Sequence, residues 1–402
     1  MAMMSESFLC LAILLVAVTT PALTATSAQL AELGSNFGIR VFQEVVRSSG
    51  DQNVVLSPHG VAALMGMAQL GAAGNTLRQL EGVMRYRLND NGVPLALRQL
   101  RKDLIAKSNQ DAAYVASSVF VQRDMQLPAA YMKKYRKTFN SWPKQLFFQD
   151  NAKATYIINK WVEVKTQGMI HDFLHPGLLD PALTRMVLLN AIFFRGLWKM
   201  PFPTEGTQLR EFYKADGTRI MVPMMSQIAK VNAGEFVTPS GMDYDVIELP
   251  YHDETFSMYI AAPYQKRDPL SSLTNVVDIQ LVNEWKMKMH LVKRQVALPK
   301  FSLETEINLE KPLENMGIKD MFKSAEANFS NMSKTNKLFV AQALQKVKIE
   351  ANESGTKASA ATAAIIYERM APLEVAFDRP FLFLIRHNPT GTILFMGQVM
   401  EP

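Results

Sequence analysis

The stretch GTKASAATAAIIYERMAP, residues 355–372, is the part of the chain that most constrains the fold. If this stretch is extended, successive side chains point to opposite faces. One face then carries only small or apolar groups: Thr356, Ala358, Ala360, Thr362, Ala364 and Ile366. The charge of Lys357 falls on the other face. Such a segment is able to join a sheet as an additional strand without burying an unpaired charge.

An arginine stands near the end of the same stretch. Arg369 is the one basic residue between Lys357 and Arg379. A segment longer than about 15 residues without structure of its own is usually functional when it lies inside a compact domain. A trypsin-like protease recognises an exposed arginine through a carboxylate in its specificity pocket. The stretch therefore predicts a protease bait, although its composition alone favours a flexible alanine-rich loop.

Helical patterns dominate the first part of the chain. Apolar side chains recur every three or four positions over residues 30–45, which predicts an amphipathic helix. A break at Ser57-Pro58 starts a second apolar segment. Asn75 or Thr76 is expected to cap a third helix.

Strand patterns dominate the second part. RMVLLNAIFF (185–194) is a continuous apolar run, typical of a central strand, and QVALPKFSLETEI (295–307) alternates like one half-exposed strand. The terminal FLFLIRHNPTGTILFMGQVM predicts a hairpin that turns at residues 388–391. No internal repeat and no Gly/Ser-rich linker interrupts the chain. The pattern favours one α+β domain.

The N-terminal residues predict export from the cell. An apolar run over residues 8–18 is too short to span a bilayer and precedes a stretch of small residues, as in a secretory signal peptide. We expect a signal peptide over residues 1–25, cleaved within residues 22–28, and a single domain over residues 26–402. Cys10, the chain's one cysteine, lies in the signal, so disulfides are excluded from the mature protein. The formal charge of +6 suggests an anionic partner such as a sulfated polysaccharide.

These features and several longer motifs resemble the serpin family. The motifs are NVVLSPHGVAALMGM from Asn53, NAIFFRGLWKMPF from Asn190, ESGTKASAAT from Glu353 and DRPFLFLIRHNPTGTILFMGQV from Asp378. Together they span about residues 30–402. The resemblance implies an α+β serpin fold with three β-sheets, about nine helices and an exposed reactive-centre loop at about residues 353–378.

For function, the resemblance implies inhibition of serine proteases rather than catalysis. A target protease would attack the bond between Arg369 and Met370, form an acyl-enzyme and be trapped when the freed loop inserts into the central sheet. The expected targets are trypsin-like proteases, in particular urokinase-type and tissue-type plasminogen activators, with regulation of fibrinolysis as the result. Two alternatives from other classes are a non-inhibitory carrier with a serpin fold and a glycosaminoglycan-binding protein.

The same resemblance assigns roles around the loop. The hinge residues, which need small side chains to enter a sheet, are Glu353, Ser354, Gly355, Thr356, Ala358, Ser359, Ala360 and Ala361. The shutter residues of the central sheet are Ser57, Asn190 and Gln345, with glutamine where most serpins have histidine. Leu373 and Glu374 occupy the protease exosite, where one of two expected acidic residues is kept. Glu368 stands where a small residue is expected before the arginine.

Two further surfaces are expected to bind partners. PLALRQLRKDLIAK (94–107) has a leucine stripe and a basic stripe at helical spacing. This pattern is typical of a solvated face or, as the resemblance implies, of a heparin-binding helix, whose candidates are Arg87, Arg98, Arg101, Lys102 and Lys107. The stretch FVQRDMQLPAAYMKKYRKTFN resembles a vitronectin-binding face, with the candidates Arg123, Tyr131, Met132 and Gln145. More apolar residues are replaced there by Lys133, Lys134, Tyr135 and Arg136.

The remaining expectations are modifications and absences. Asn328, Asn331 and Asn352 begin N-x-S sequons, and a glycan on Asn352 would adjoin the hinge. The six histidines form no metal-binding pattern, and no G-x-S-x-G marks a hydrolase. We expect no metal, no cofactor, no nucleic-acid partner, no membrane span and a monomeric protein.

Overall fold

The computed structural model describes residues 25–104, 113–334, 338–354 and 372–402. Within these ranges the α-helices are α1 (Ser27–Ser49), α2 (Pro58–Gly71), α3 (Gly74–Met84), α4 (Val93–Leu104), α5 (Ala129–Phe139), α6 (Asn151–Lys165), α7 (Ser271–Thr274), α8 (Ile279–Lys288) and α9 (Glu310–Asn315). The strands are β1 (Val54–Leu56), β2 (Ala113–Gln122), β3 (Lys144–Leu146), β4 (Met186–Phe194), β5 (Gln208–Tyr213), β6 (Arg219–Val237), β7 (Asp243–Pro250), β8 (Phe256–Pro263), β9 (His290–Pro299), β10 (Phe301–Asn308), β11 (Gln342–Ala351), β12 (Glu374–Ala376), β13 (Phe381–His387) and β14 (Ile393–Val399). Most helices precede most strands, as the sequence pattern predicts.

The first two helices begin where the sequence places their start signals. At α1, the Thr26 hydroxyl accepts from the Gln29 amide and the Gln29 side chain accepts from the Thr26 amide, which forms a capping box. At α2, the Ser57 hydroxyl accepts from the Gly60 amide, and Pro58 occupies the first helical position. The α2 helix is almost entirely buried, so it forms the centre of the molecule rather than a surface layer.

The expected cap of the third helix is wrong. The helix α3 follows Ala73, and no side chain caps it. Asn75 instead donates to the carboxylate of Asp320 over 2.7 Å. The Thr76 hydroxyl accepts from the Asn328 amide over 3.0 Å. Both polar side chains are used by distant segments, which the local sequence does not reveal.

Five strands form a sheet in the order β10-β11-β4-β2-β3. Every residue of β4 is buried, which confirms the prediction of a central strand. On one face of β4, Leu189 and Phe193 pack in a cluster with Ile158 and Val162 of α6. On the other face, Leu188 belongs to the main core. The sheet is therefore covered on both sides at its centre.

The other nine strands form one hydrogen-bonded network in the order β1-β14-β13-β8-β7-β6-β9-β12, with β5 also paired to β6. The long strand β6 links two groups, because it pairs with β9 over residues 224–233 and with β7 over residues 232–237. The described strands thus form two hydrogen-bonded sheets, because β6 joins the strands around β7 and the strands around β9 into one network. The predicted hairpin at the C-terminus is confirmed as the β13–β14 pair.

The prediction of one strand over residues 295–307 is wrong. The chain divides at Lys300: β9 belongs to the nine-stranded network and β10 to the five-stranded sheet. Pro299 has no N–H to continue a ladder, which favours a break at this point. The Lys300 amide donates to the Pro223 carbonyl over 2.9 Å. Of the two segments, β10 alternates between buried and exposed residues.

Within the described ranges, no helix is long and apolar enough to cross a bilayer. The apolar run of residues 8–18 lies outside the described ranges.

Candidate site of loop insertion

The three predicted shutter residues meet at the centre of the five-stranded sheet. Asn190 of β4 and Gln345 of β11 are direct register partners, and Gln345 Nε2 donates to Asn190 Oδ1 over 2.7 Å. The Gln345 side chain also donates to the Ser57 carbonyl over 3.1 Å and accepts from the Ser57 amide over 2.8 Å. All three residues are fully buried. Their hydrogen bonds tie the two strands to each other and to the start of α2.

Two further residues complete the shutter. Asn190 Nδ2 donates to Ser117 Oγ on β2 over 2.8 Å. A Cβ atom at Gly60 would lie 2.2 Å from Asn190 Oδ1, so only glycine lets α2 approach this closely. None of the side chains in this cluster titrates near neutral pH. Gln345 therefore keeps its hydrogen bonds over a pH range in which a histidine at the same position would change charge.

The pairing of β4 with β11 is unusual for its position in the sheet. The two strands run parallel over eight register pairs, from Val187–Gln342 to Phe194–Ile349. On their other sides, β4 pairs antiparallel with β2, and β11 pairs antiparallel with β10. A new strand placed between β4 and β11 in the opposite direction would be antiparallel to both. Since antiparallel ladders are slightly more stable per residue, an added strand is accommodated well at this β4–β11 seam. Two other pairs of described strands are parallel, β2–β3 and β9–β12, but each has only three register pairs.

The chain that leaves β11 is held by the segment that follows β4. The indole of Trp198 donates to the Asn352 carbonyl over 2.8 Å. The Phe202 amide donates to the Glu353 carbonyl over 2.8 Å, and the Trp198 amide donates to the Ser354 carbonyl over 3.3 Å. Three consecutive carbonyls are thus bonded to one segment. We call these contacts, together with those of Thr207 and Lys300 described next, the hinge clamp.

The carboxylate of Glu353 adds two side-chain contacts to the hinge clamp. Lys300 Nζ lies 3.0 Å from Glu353 Oε2, and the Thr207 hydroxyl donates to Glu353 Oε1 over 2.9 Å. Burial opposes ionisation of this carboxyl, but hydrogen bonds from its own backbone N–H, Lys300 and Thr207 hold the pKa of Glu353 below its usual value. Glu353 is therefore charged at neutral pH, and it ties the end of β11 to the β9–β10 junction.

Trp198 is itself fixed by aromatic packing. Its ring is stacked on Tyr251 with 4.5 Å between centroids and 10° between planes, and only 3% of the residue is exposed. A Cβ atom at Gly196 would lie 2.4 Å from the Tyr251 ring, so glycine is required two residues before the tryptophan. The clamp therefore presents its donors from a preorganised segment.

The sequence named candidate hinge and shutter residues but did not name most of the residues that hold them. Trp198 and Phe202 lie inside the motif NAIFFRGLWKMPF, which gave them no role of their own. Thr207 and Lys300 lie outside any motif, because they meet Glu353 only through the fold.

Of the two predicted exosite residues, one is exposed and the other is hydrogen-bonded within the protein. Leu373 is 62% exposed. Glu374 forms two hydrogen bonds with Arg210 of β5, over 2.7 and 3.1 Å, and accepts from Gln295 over 3.3 Å. The hydrogen bond from Arg210 holds the pKa of Glu374 below its usual value. A basic loop of a protease would have to compete with Arg210 for this carboxylate.

The predicted basic helix forms as α4, but its cations differ in orientation. Arg98 and Lys102 are exposed, as is Arg87. The expectation that Arg101 shares this exposed stripe is wrong. Its guanidinium turns inward and donates to the carbonyl of Phe139 at the C-terminal end of α5, where burial lowers the pKa of Arg101. Terminal carbonyls of a helix attract cations, which accounts for this orientation.

The vitronectin candidates also separate into two pairs. Gln145 is exposed and donates to the backbone carbonyl of Arg123 over 3.3 Å. Arg123 is exposed as well, with its guanidinium 5.2 Å from the centre of the Phe147 ring. The expectation of an accessible Tyr131 is wrong, because this residue is 5% exposed and belongs to the main core. Met132 is partly buried against the same core.

The three sequons lie in irregular segments. Asn328 and Asn331 are exposed, and Asn331 Nδ2 donates to the Ala72 carbonyl over 2.7 Å. Asn352 is half-buried, and its side-chain oxygen accepts from the Ser354 amide over 3.2 Å. A glycan on Asn352 would therefore start inside the hinge clamp.

Several predicted features lie outside the described residues. They are the reactive bond Arg369-Met370, the hinge residues Gly355, Thr356, Ala358, Ser359, Ala360 and Ala361, the heparin candidate Lys107, and the signal peptide apart from Ala25. In the described ranges, no group of three or more His, Cys, Asp or Glu side chains is arranged to hold a metal ion.

Comparison with known proteins places the chain in one family. The serpin family, described as serine protease inhibitors, matches residues 32–402. The chain belongs to the serpin family, and the predicted α+β serpin fold is confirmed.

Within the family the chain is similar to plasminogen activator inhibitor 1. It is 52% identical to that protein of Neovison vison over 372 residues, which cover 92% of this chain and 93% of the relative. Identity to the Bos taurus protein is 49% over 401 residues, covering 99% and 100%. The crystal structure of native protease nexin-1 with heparin superimposes with a TM-score of 0.88 at 42% identity, covering 94% of this chain and 100% of that one.

Proposed function

We propose that the protein inhibits trypsin-like serine proteases, in particular urokinase-type and tissue-type plasminogen activators, by inserting its cleaved loop into the β4–β11 seam. The observation that carries the proposal is the parallel pairing of β4 with β11 beside the point where the chain leaves β11. A segment that turns back after residue 354 reaches this seam without crossing another strand. Residues 355–369 number 15, which exceeds the nine residues of β4 and the ten of β11.

The chemistry begins at the reactive bond. The catalytic serine of the protease attacks the carbonyl carbon of Arg369, and the bond to the nitrogen of Met370 breaks. The carbonyl carbon of Arg369 is then held in an ester with the serine, while the amine of Met370 takes up a proton. Water normally hydrolyses this ester. Insertion of residues N-terminal to Arg369 pulls the acylated protease along the sheet and distorts its active site before hydrolysis occurs.

The free energy for this step is available from backbone pairing. Insertion replaces one parallel ladder by two antiparallel ladders, so the net gain is one ladder. If about ten residues each gain a net hydrogen bond of roughly 0.5–1.5 kcal/mol, insertion releases on the order of 10 kcal/mol. This is comparable with the stability of a whole domain, so it suffices to distort a bound enzyme.

The side chains of the loop suit the two faces of the sheet at the seam. On β11, Ala343 and Val347 pack in the core, whereas Lys346 and Lys348 lie on the opposite face. The small, uncharged face that begins at Thr356 fits the core side. The face that carries Lys357 fits the side on which lysines are already accommodated.

Secretion and partner binding belong to the same proposal. A protein with a signal peptide over residues 1–25 would act outside the cell, where plasminogen activators act. Heparin binding is a second candidate function, supported by the exposed Arg98 and Lys102 of α4 and by the heparin complex of protease nexin-1. Vitronectin binding through Arg123 and Gln145 remains a proposal, without a contribution from Tyr131.

The experiment is incubation with urokinase, followed by boiling in detergent and gel electrophoresis. We expect a covalent complex and a released peptide, residues 370–402, whose N-terminal sequencing begins at Met370. The Arg369→Ala variant serves as the control and should form neither product. Cleavage at the same bond with free, active urokinase would instead identify a non-inhibitory serpin.

A further inference from the structure

The outward face of α5 carries four adjacent cations. Lys133, Lys134, Arg136 and Lys137 are exposed. The buried residues of the same helix are Tyr131, Tyr135, Thr138 and Phe139, and they turn to the core. The helix contains no acidic residue. One side of α5 is therefore uniformly positive.

These charges are not compensated locally. Some exposed lysines on other helices have carboxylate partners: Lys160 lies 3.0 Å from Glu163, and Lys288 lies 2.5 Å from Glu284. Among the residues that the structure describes, none of the four cations of α5 forms an ion pair. The helix dipole favours the two in the last turn, Arg136 and Lys137, but it gives no reason for the other two. An uncompensated cluster attracts an external anion.

The cations of α5 are continuous with those of α4. The two helices are joined at one end by the Arg101 hydrogen bond to the Phe139 carbonyl. They are joined again where Lys134 donates to the side chain of Asn89, four residues before α4. The exposed Arg98 and Lys102 of α4 therefore lie beside the charged face of α5. Together the two helices form one extended basic surface.

Aromatic rings border this surface. The guanidinium of Arg136 lies 5.1 Å from the centre of the Trp142 ring, and Trp142 is 44% exposed. Further along, the ammonium of Lys144 on β3 lies 5.5 Å from the Trp161 ring. Burial, and to a smaller extent the charge of Lys165, lowers the pKa of Lys144.

We infer that the α5 face, defined as Lys133, Lys134, Arg136 and Lys137 with the Trp142 ring, binds a linear sulfated polysaccharide and extends the anion-binding surface of α4. The cations are spread along a helix rather than converging in a pocket, which suits a polymer with repeated charges better than one small anion. The exposed ring offers an apolar face beside the charges. The inference rests on neither loop insertion nor protease inhibition.

The test compares two variants that lose the same charge. The first changes Lys133, Lys134 and Lys137 to glutamine. The matched control changes the exposed lysines Lys230, Lys286 and Lys319 to glutamine, which lie on or beside other elements. Heparin affinity is titrated at several salt concentrations. We expect the α5 variant to bind about tenfold more weakly near physiological salt, with a shallower salt dependence, because fewer counterions are exchanged. The control should match the parent protein.

Three further measurements make the outcome decisive. Equal losses in both triple variants, or no loss in the α5 variant, would overturn the inference. Binding to phosphatidylserine vesicles that the α5 variant loses, with unchanged heparin affinity, would overturn it as well and assign the face to lipid. Thermal melts of both variants report folding, and complex formation with urokinase without heparin reports inhibition. If the parent protein binds heparin through α5 but forms no covalent complex with urokinase, the result contradicts the proposed protease inhibition. It leaves the inference about α5 intact.

Discussion

Gln345 and Asn190 face each other across β4 and β11, two parallel strands between which a strand inserted in the opposite direction would be antiparallel on both sides. The 2.7 Å hydrogen bond between their side chains closes the β4–β11 seam at its buried centre. Because Gln345 also bonds to the backbone of Ser57, the seam cannot open at this level without disturbing α2. Besides the backbone ladder, the resting seam is thus held by a buried polar side-chain contact.

Replacement of Gln345 by alanine should lower stability and shorten the active lifetime. The change leaves the Ser57 amide and Asn190 Oδ1 buried without their partner, at a cost of about 1–3 kcal/mol per unsatisfied group. We expect a lower melting temperature and faster spontaneous loss of urokinase inhibition at 37 °C. The exposed Gln265 serves as a control, since Gln265→Ala removes no buried contact. Equal lifetimes of the two variants would show that the shutter does not hold the seam.

A charge on the core side of the inserting strand should convert the inhibitor into a substrate. Ala360→Arg places a guanidinium on the face that begins at Thr356, where insertion would bury it without a partner. We expect urokinase to cleave this variant without forming a stable complex. Ala363→Arg puts the same group on the opposite face and should still form the complex. If both variants behave alike on the gel, the assignment of the two faces is wrong.

Removal of the Lys300 ammonium should loosen the hinge and change how the stability of the fold depends on pH in the acid range. The pKa of Glu353 is held below its usual value, so its contribution is present above the unfolded-state pKa and is lost as the pH falls through the folded-state pKa. Lys300→Met should remove part of this dependence and lower stability at neutral pH. Thermal melts of both proteins between about pH 3 and 7 measure the difference. Identical pH profiles would contradict a charged clamp.

Two histidines should make the fold sensitive to mild acid. Burial lowers the pKa of His59 to about 4, with further lowering by Arg101 and His387. Burial lowers the pKa of His387 to about 4 as well, opposed by Asp103. The unfolded chain takes up protons near pH 6.5, whereas the folded protein does so only near pH 4. Stability is therefore complete above about pH 6.5 and falls, on the order of a few kcal/mol, as the pH drops toward 4.

The variants that check this prediction replace each histidine by a neutral polar residue. His59→Gln and His387→Gln should each flatten the change of melting temperature between about pH 6.5 and 4. Their effect at pH 7 is expected to be smaller than the effect of Gln345→Ala. A wild-type melting temperature that stays constant across this pH range would contradict the prediction.

Local sequence patterns predicted a helix or strand correctly where the residues of that element alone determine its burial. The spacing over residues 30–45 gave α1, and the unbroken apolar run of residues 185–194 gave β4, because burial of a helix face or of a whole strand is written into the residues themselves. The resemblance to a known family named Asn190 of β4 and Gln345 of β11 as shutter residues, and that role stays a prediction. The fold class was therefore accessible before any coordinates.

The direction of side chains at the surface sites could not be predicted from the sequence in the same way. The basic stripe predicted that α4 is a helix. The inward direction of Arg101 depends on its hydrogen bond to the C-terminal end of α5. The motif indicated Tyr131 as a candidate for vitronectin binding, yet it lies on the buried side of α5 with Tyr135. Each outcome depends on a second element that packs there, and helical periodicity within one segment carries no information about it.

The amino-acid sequence by itself determined the fold class, the small-residue loop with its arginine, and the polar residues on the strands that flank the seam. Only the tertiary structure decided that β4 and β11 are parallel neighbours and that Trp198, Phe202, Thr207 and Lys300 clamp the hinge. The reason is physical: periodicity and composition act within a few residues, whereas strand neighbours and hydrogen-bond partners that are distant in the chain are chosen by the packing of the whole core.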